Sequence, residues 1–287
     1  MKRSLDGRVA IVTGAGGGLG REHALYLARK GARVVVNDVA PEAAEAVAAQ
    51  IEAEGGRALP FAASVTDEAG VAAMVARTLQ EWRRVDILVN NAGILRDKSF
   101  AKMSLDDFRL VVEVHLMGTV ICTRAVWERM RQQNFGRIVM TTSSSGLYGN
   151  FGQANYSAAK MALVGLMQTL AIEGEKYGIR VNCLAPSAAT RMTQGILPEA
   201  SLRRLDPALV SPALLALVRD DAPTRAIVCA GAGRFARAYV TLSQGVQLGG
   251  GDDAGERAIS QWQQISDRSG DVVPAYGFLQ VEREVGA

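Results

Sequence analysis

The 287-residue sequence is predicted to fold as an α/β protein, a doubly wound parallel sheet of about seven strands with helices on both faces and a C-terminal extension. Two observations predict this class. Short runs rich in β-branched residues alternate with segments of helical pattern along residues 8–184. Glycine-rich or polar turns follow several of these runs, at the carboxyl ends of strands where a parallel sheet gathers its ligand-binding groups.

The composition narrows the classes of function that remain. Apolar residues make up 48% and charged residues 21%, as in ordinary globular proteins, and the net charge of +3 indicates no nucleic-acid partner. The cysteines at 122, 183 and 229 form no metal-binding cluster, so no metal site is expected, and they indicate a reducing compartment. No apolar signal region or bilayer-length run stands out, so a cytoplasmic protein without a membrane span is predicted.

The first three predicted elements form a βαβ unit. A strand over residues 8–12 leads into the turn TGAGGGLG at 13–20, an apolar helix stops at Gly31, and a strand at 34–36 ends beside Asp38. The glycines allow close approach of a pyrophosphate, and the helix N-terminus offers unpaired N–H groups. A carboxylate at position 38 can accept hydrogen bonds from ribose hydroxyls and would repel a 2′-phosphate. The unit therefore predicts NAD rather than NADP.

The middle of the chain continues the alternation. Its predicted elements are helices over 41–54 and 67–82 and strands over 57–65 and 85–89. Ser64 and Val65 lie at the end of the first of these strands, and the tetrapeptide NNAG at 90–93 follows the second. Ser104 precedes two early acidic residues, a pattern typical of a helix N-cap, and this helix is predicted to run towards residue 132 and to contain His115.

A tyrosine and a lysine four residues apart are the centre of the predicted chemistry. Tyr156 and Lys160 fall on one face of a helix that is predicted to continue to about residue 177, so a phenol lies beside an ammonium. A nearby cation lowers the pKa of a phenol and lets it act as a general acid or base. Ser143, at the end of a predicted strand over 136–142, can hydrogen-bond the same substrate oxygen. Taken alone, a Tyr-x-x-x-Lys pair is usually solvated; the surrounding elements favour the catalytic interpretation.

Five signals in this order resemble the short-chain dehydrogenase/reductase family over about residues 5–250: the glycine turn with Asp38, the NNAG tetrapeptide, Ser143, the Tyr156–Lys160 pair, and Pro186 after a predicted strand. The resemblance implies a Rossmann-like domain that binds NAD and supports hydride transfer between nicotinamide and a carbon bearing oxygen. It implies that Tyr156 is the acid/base, that Lys160 lowers its pKa and holds the nicotinamide ribose, and that Ser143 positions the substrate oxygen. The cofactor-binding residues that it implies are Gly14, Gly18, Leu19, Gly20, Asp38, Ser64, Val65, Asn91, Ala92, Gly93, Tyr156, Lys160, Pro186 and Thr190.

Three positions depart from the family pattern. His115 stands where members of the family usually have the asparagine of an Asn-x-x-Gly motif, which supports a water-linked proton relay. A histidine can also relay a proton, so His115 is a further candidate catalytic residue; the alternative is that it only packs. Ser64 replaces an aspartate that contacts adenine in many members, and Ser187 follows Pro186 where glycine is usual.

A narrower resemblance covers residues 90–100, 148–156, 188–193 and 234–239, together with His115. These stretches are similar to the (3R)-hydroxyacyl-CoA dehydrogenase units of peroxisomal multifunctional enzymes type 2, a subgroup whose members also act on 17β-hydroxysteroids. The resemblance implies a small-molecule substrate and NAD-linked interconversion of 3-hydroxyacyl-CoA and 3-ketoacyl-CoA. Two alternatives stay open: a dehydrogenase of a 17β-hydroxysteroid or other bulky secondary alcohol, and a non-catalytic NAD(H)-binding regulator.

The last part of the chain is predicted to contribute a lid and an extension. Residues 1–250 are expected to form the NAD-binding domain, with a substrate lid at about 188–222 in which Arg203 and Arg204 either meet a CoA phosphate or are solvated. Residues 251–287 are expected to be an extension and not a separate domain. By analogy with the family, the helices that end near residues 132 and 177 are expected to form the interface of a homodimer or homotetramer.

Overall fold

The computed structural model describes residues 4–189, 199–202 and 204–286. The strands in these residues are β1 (Val9–Thr13), β2 (Arg33–Asp38), β3 (Arg57–Ala62), β4 (Ile87–Asn90), β5 (Gly136–Thr141), β6 (Ile179–Ser187), β7 (Ile227–Gly231) and β8 (Arg234–Ala238). They form one sheet in the order β3-β2-β1-β4-β5-β6-β7-β8. Neighbouring strands from β3 to β7 are parallel, with Ile11 of β1 opposite Leu88 of β4.

Helices cover both faces of this sheet, which confirms the predicted fold class. Their bounds are α1 (Gly18–Arg29), α2 (Pro41–Ala53), α3 (Glu68–Trp82), α4 (Leu105–Val112), α5 (Gly118–Gln133), α6 (Ser144–Tyr148), α7 (Ala154–Gly174), α8 (Glu199–Leu202), α9 (Pro212–Val218), α10 (Ala254–Ser260), α11 (Trp262–Ile265) and α12 (Phe278–Glu284). On one face, α1, α2 and α9 bury side chains such as Leu25, Ile51 and Leu214 against Val36 and its neighbours. On the other face, α5 packs on α3, β4 and β5, and α7 packs on β5 and β6.

The central strands β1, β4 and β5 are buried along their whole length, as expected for strands that are covered on both faces. From β1, the chain order runs through β2 and β3 on one side and through β4 and β5 on the other, so the direction of winding reverses between β1 and β4. In a doubly wound sheet this reversal opens a crevice at the carboxyl ends of the two strands. The residues after Thr13 and Asn90 therefore border the crevice.

The helix that the sequence predicts from residue 104 towards 132 is interrupted. Ser104 caps α4 as predicted, because its Oγ accepts the backbone N–H of Asp107 at 3.1 Å. A π-turn over Glu113–Met117 then separates α4 from α5 and contains His115. Single π-turns inside helices are frequent at functional sites. Hydrophobic periodicity cannot reveal such a turn, because the pattern on either side is that of one long helix.

Two strand ends differ from the prediction. β3 stops at Ala62 and not at residue 65, because the Ser64 hydroxyl accepts the Thr66 backbone N–H at 3.2 Å and turns the chain. After β7, Ala232 and Gly233 both have positive φ, of 49° and 74°, as in the two-residue turns that join antiparallel strands. The chain returns through this turn as β8, an eighth strand where about seven are predicted.

The chain groups into two compact units, Met1–Arg237 and Ala238–Ala287. The second unit contains α10, α11 and α12 and an antiparallel bridge between Leu242 and Val272. Within it, Ser243 Oγ donates a hydrogen bond to the Ile265 carbonyl at 2.8 Å. The boundary at residue 250 and the description of 251–287 as an extension stay predictions.

One stretch, Leu105–Gln133, has the length and apolar composition of a helix that could cross a membrane, and 39% of its most apolar window is buried inside the structure. Core helices of globular proteins share these properties. Here the stretch comprises α4, the π-turn and α5, and α5 packs on β4 and β5. We interpret it as a helix that covers the sheet.

Asp86 ties the amino ends of β1 and β4 together. Its buried carboxylate accepts the Val9 backbone N–H at 2.9 Å and two nitrogens of Arg84 at 2.7 and 2.5 Å. Arg8 lies 3.4 Å from the same carboxylate and pairs at 2.6 Å with Asp220, whose side chain is 72% exposed. Arg8 thus contacts one buried and one exposed carboxylate. Removing each carboxylate in turn therefore compares how much a buried and an exposed partner contribute to stability.

Asp86→Ala is expected to lower the free energy of unfolding by about 3 kcal/mol, because it removes a buried acceptor from a backbone N–H and from two guanidinium groups. Asp220→Ala is the matched control: it removes the exposed partner of the same Arg8 and is expected to cost less than about 1 kcal/mol. Urea unfolding followed by circular dichroism measures both changes. Equal losses for the two variants would contradict the argument that the buried carboxylate contributes more to stability than the exposed one.

Candidate active site

A cavity of about 570 Å³ opens at the carboxyl ends of the parallel strands. Its wall consists of the turns that follow β1, β2, β4, β5 and β6, together with parts of the π-turn and of α7. It coincides with the crevice that the strand order creates between β1 and β4. The predicted site residues on this wall are Gly14, Gly18, Leu19, Gly20, Asp38, Asn91, Ala92, Gly93, His115, Ser143, Tyr156, Lys160 and Pro186.

The glycine turn after β1 is shaped by contacts that exclude side chains. Gly14 has a φ of 61°, and a Cβ there would lie 2.8 Å from the Ala92 Cα. A Cβ on Gly20 would overlap the Gly14 carbonyl oxygen. Asn91 Nδ2 donates to the carbonyls of Thr13 and Gly14, at 3.0 and 3.2 Å, and so holds the turn against the segment after β4. Two distant segments of sequence therefore build one surface.

The N-terminus of α1 is open towards the cavity. The N-cap of α1 is Gly17, which has no side chain to accept the first N–H groups of the helix. The first turn of α1 contains no acidic residue. Gly17, Gly18 and Leu19 all lie on the cavity wall. Free N–H groups at the positive end of a helix dipole form a ready site for a phosphate group.

Asp38 is fixed at the end of β2 by two backbone donors. Its Oδ2 accepts the Gly16 N–H at 2.9 Å, and its Oδ1 accepts the Ala40 N–H at 3.1 Å. A carboxylate offers about four acceptor positions, so both oxygens can accept further hydrogen bonds from the cavity side. The glycine turn, the open helix end and Asp38 together fit the pyrophosphate and the adenosine ribose of a nicotinamide dinucleotide.

Ser143, Tyr156 and Lys160 come together because α6 and α7 cross at close range. A Cβ on Gly146 of α6 would lie 2.7 Å from the Lys160 Cβ, so only glycine permits this approach. Lys160 Nζ donates to the Thr141 carbonyl at 2.5 Å. Ser143 is the N-cap of α6, where its Oγ accepts the Ser145 N–H at 3.2 Å. The last residues of β5 are thereby fixed against the first turns of α7.

The electrostatics of this group differ from the sequence-based expectation. The pKa of Tyr156 is raised and not lowered, because burial disfavours the phenolate; a hydrogen bond with Ser143 opposes the rise, and the charge of Asp97 adds to it. Burial also lowers the pKa of Lys160 to about 7, so its ammonium is easily lost. The lysine Nζ lies 5.5 Å from the centre of the tyrosine ring. Desolvation is thus the largest cause of both shifts.

His115 packs against the tyrosine as a neutral ring. Burial, followed by the charge of Lys160, lowers its pKa to about 3. Its Nε2 lies 2.7 Å from the Ile94 carbonyl oxygen and 3.0 Å from the Ile94 nitrogen, and its ring meets that of Tyr156 edge-on with centres 5.2 Å apart. A Cβ on Gly93 would overlap the imidazole, which explains the glycine there. Among the described residues, His115 Nδ1 has no hydrogen-bond partner.

The remaining predicted residues lie elsewhere. The Ser64 hydroxyl contacts Thr66 Oγ1 at 2.8 Å, and neither Ser64 nor Val65 is on the cavity wall. Val65 packs against Gly118, where an added Cβ would lie 2.6 Å from the Val65 side chain. The predicted cofactor residue Thr190 and the predicted lid residue Arg203 lie outside the described residues, as does the part of the predicted lid at 191–198; Arg204 is exposed.

A polar group on the cavity wall escaped the sequence-based prediction. Gln153 accepts hydrogen bonds from Ser145 Oγ at 2.8 Å and from Asn150 Nδ2 at 3.0 Å, and its Nε2 donates to Asp97 Oδ2 at 2.7 Å. In the sequence analysis, the stretch that contains Gln153 contributes only to the resemblance to known dehydrogenase units, and Gln153 itself is given no role. The available signal was a glutamine at the start of the helix, three residues before Tyr156.

Comparisons with known proteins agree with this geometry. The family model for short chain dehydrogenases matches residues 8–200. A Mycobacterium tuberculosis protein described as a short-chain type dehydrogenase/reductase is 45% identical over 92% of this chain and 95% of its own length. The peroxisomal multifunctional enzyme type 2 of Drosophila melanogaster is 49% identical over 77% of this chain, which spans only 38% of that enzyme.

Solved structures show the same fold. The structure of the full-length Drosophila enzyme matches 98% of this chain with a TM-score of 0.82 and 38% identity, over 49% of its own chain. A 7α-hydroxysteroid dehydrogenase, solved in complex with NADH and 7-oxo glycochenodeoxycholic acid, matches 80% of this chain and 94% of its own with a TM-score of 0.74 and 31% identity.

Lys160→Met is expected to raise the free energy of unfolding at pH 7 by about 2 kcal/mol, because it replaces a buried amine that resists charging with an apolar side chain. The pKa of Lys160 in the folded protein, about 7, lies below its usual 10.5. The destabilisation by Lys160 is therefore complete below pH 7 and vanishes as the pH rises to 10.5. The gain of the variant should shrink across this window.

Denaturant unfolding of both proteins at several pH values within this window measures the effect. Lys102→Met is the control, since Lys102 is exposed, and its effect should stay below about 0.5 kcal/mol. A Lys160→Met protein that is less stable than the wild type at pH 7 would contradict the desolvation argument.

Proposed function

We propose that this chain, which belongs to the short chain dehydrogenase family, interconverts (3R)-3-hydroxyacyl-CoA and 3-ketoacyl-CoA with NAD. Membership of the family makes it an oxidoreductase that acts on a CH–OH group. The observation that carries the proposal is the meeting of Ser143, Tyr156 and Lys160 on the wall of the cavity that the glycine turn also lines. The similarity to the Drosophila enzyme supports the choice of an acyl-CoA substrate.

Tyr156 is the residue that exchanges a proton with the substrate oxygen. Burial keeps its phenol protonated at neutral pH, so that it can donate to the oxygen of a ketone. In the oxidative direction the phenolate removes the proton of the hydroxyl, which a higher pH favours. The Ser143 hydroxyl, which bonds to Tyr156, holds the same oxygen in place. The bound dinucleotide supplies the hydride acceptor or donor.

Lys160 and His115 support the tyrosine from two sides. Lys160 has three N–H donors and uses one on Thr141, so its ammonium can also bond to a ribose hydroxyl. His115 is neutral near pH 7 and holds the backbone of Ile94 while its ring meets that of Tyr156. A proton relay through His115 would run through Nδ1, its free ring nitrogen among the described residues.

Asp38 supports the choice of NAD. Its carboxylate lies on the cavity wall next to the glycine turn and is held by Gly16 and Ala40. A negative charge there accepts hydrogen bonds from both ribose hydroxyls of NAD and repels the 2′-phosphate of NADP.

Asp38→Asn is expected to reduce kcat/KM for NAD by about 10- to 100-fold, because a charged acceptor of ribose hydroxyls is lost. The same change should reduce kcat/KM for NADP much less, because repulsion of the 2′-phosphate is relieved. Asparagine keeps an oxygen for only one of the two backbone donors, Gly16 and Ala40, so circular dichroism is recorded to check that the variant keeps its fold. Steady-state kinetics with both dinucleotides measure the ratio. An unchanged NAD/NADP ratio would exclude Asp38 from the ribose site.

A second candidate function is oxidation of a hydroxysteroid or another bulky secondary alcohol. The similarity to the 7α-hydroxysteroid dehydrogenase favours it. The two candidates share their chemistry and differ in substrate, which fold alone does not decide. NADH formation with a (3R)-3-hydroxyacyl-CoA and with a 17β-hydroxysteroid, side by side, distinguishes them. Turnover of the steroid alone would replace the proposed substrate.

Tyr156→Phe is expected to lower kcat for the preferred substrate by about 10²- to 10⁴-fold, because the acid/base is lost while the ring remains. NADH binding, followed by fluorescence titration, should change little, which serves as the control for folding. Unchanged turnover in this variant would refute the proposed chemistry. Tight NADH binding by the wild type without turnover of any alcohol would instead favour a non-catalytic regulator.

Two long helices, α5 and α7, are the proposed interface between copies of this chain. We expect a homodimer or homotetramer, by analogy with the family, through α5 and α7. A monomer in sedimentation at micromolar concentration would refute this. A cytoplasmic location stays a prediction.

A further inference from the structure

Gln153 is a buried polar side chain on the wall of the cavity to which the proposed mechanism gives no role. It is only 7% exposed, and it is the N-cap of α7, three residues before Tyr156. Its own side chain does not cap the helix, so it is turned to other partners. A buried amide with this position needs an explanation, because burying a polar group is costly unless it is hydrogen-bonded.

The orientation of this amide is fixed by three hydrogen bonds. Its Oε1 faces two groups that donate to it, Ser145 Oγ and Asn150 Nδ2, at 2.8 and 3.0 Å. Its Nε2 faces Asp97 Oδ2 at 2.7 Å. An ionised carboxylate only accepts hydrogen bonds, so the opposite orientation would place two oxygens against each other. Both lone pairs of the Gln153 oxygen are therefore in use.

One N–H of Gln153 remains for a ligand. An amide nitrogen has two donors, and the described residues provide an acceptor, Asp97, for one of them. Gln153 lines the same cavity as Tyr156 and Ser143. The structure therefore presents a fixed donor beside the pair that handles the reacting oxygen.

The spacing of this donor from Tyr156 matches a particular substrate class. Side chains at the N-cap and at the third residue of a helix lie side by side across the first turn, with Cβ atoms about 5–6 Å apart. In a 3-hydroxyacyl or 3-ketoacyl group, the C1 carbonyl oxygen and the C3 oxygen are joined through three carbons. With bonds of about 1.5 Å, the two oxygens are about 3–5 Å apart. Two neighbouring side chains of the first turn can thus contact both oxygens at once.

We propose that the free N–H of Gln153 donates to the C1 carbonyl oxygen of the substrate while Tyr156 and Ser143 hold the C3 oxygen. Gln153 is then a specificity-determining residue that selects a second oxygen in the 1,3 position, and Asp97 is the positioning residue that holds it. The inference rests on the proposed dehydrogenase chemistry of the site. A substrate without the carbonyl leaves a buried donor unpaired, and such a site discriminates strongly against it.

Gln153→Met tests the inference in the direction of reduction, with NADH and three probes: acetoacetyl-CoA, ethyl acetoacetate and 2-hexanone. The first two have the second carbonyl, and the third lacks it. Methionine keeps the length of the side chain without a donor. We expect kcat/KM to fall about 10- to 100-fold for both dicarbonyl probes, because one hydrogen bond to a buried donor is lost, and to change less than about 3-fold for 2-hexanone.

Asp97→Ala is the second variant, in case Gln153→Met does not fold. It leaves Gln153 in place without its anchor and should weaken both dicarbonyl probes in the same sense, to a smaller extent. The dissociation constant of NADH, from fluorescence titration, should be unchanged in both variants. If 2-hexanone is too poor a substrate to measure even for the wild type, a loss for both dicarbonyl probes that is larger in Gln153→Met than in Asp97→Ala, with unchanged NADH binding, supports the inference, and weaker NADH binding contradicts it.

The outcomes separate this inference from the proposed function. Equal losses for all three probes would show a merely structural role for Gln153 and overturn the inference. Loss for acetoacetyl-CoA alone would show that Gln153 contacts the CoA moiety, which also overturns it. If the wild type reduces ethyl acetoacetate but not acetoacetyl-CoA, the proposed substrate is wrong, while a selective loss for the ester in Gln153→Met still supports the carbonyl contact.

Discussion

The site depends on a clasp between the ends of two strands that are distant in sequence. Thr13 Oγ1 accepts the backbone N–H groups of Asn91 and Ala92 at 3.0 and 3.1 Å, and the Asn91 amide returns two hydrogen bonds to the carbonyls of Thr13 and Gly14. Because β1 and β4 are parallel neighbours on either side of the winding reversal, this clasp sets the shape of the crevice. The positions of the glycine turn and of Gly93, the residue in contact with the His115 ring, both depend on this clasp.

Burial is the second constraint, and it acts against the charged forms of the catalytic group. Lys160, His115 and Tyr156 all have pKa values shifted towards the neutral species by loss of solvent. These side chains are held in place because the Thr141 and Ile94 carbonyls and the Ser143 hydroxyl compensate part of this loss. A site of this kind is locally destabilising, and the strength of the surrounding sheet is what permits it.

Sequence reasoning predicted the sheet, the glycine turn and the Ser143–Tyr156–Lys160 group, because each rests on local periodicity or on a short motif. It was wrong about the direction of the Tyr156 pKa, because proximity of a lysine is visible in spacing whereas the depth of burial is not. It placed Ser64 in a strand because a hydroxyl that turns the chain looks no different from one that faces a ligand. Gln153 was missed because its importance lies in contacts with Asp97, Ser145 and Asn150, which only the folded chain brings together.

The π-turn over Glu113–Met117 takes up one residue more than a regular turn of the helix. A π-turn is wider than an α-helical turn, so the extra residue leaves the helix on both sides in phase. Loss of a single residue here would therefore let α4 and α5 fuse into one regular helix, with Cys122, Val126 and Met130 still on the core side of α5. The change would fall on the turn itself, which carries His115 against Tyr156 and the Ile94 backbone. A deletion at this point would thus spare the core and alter the active site.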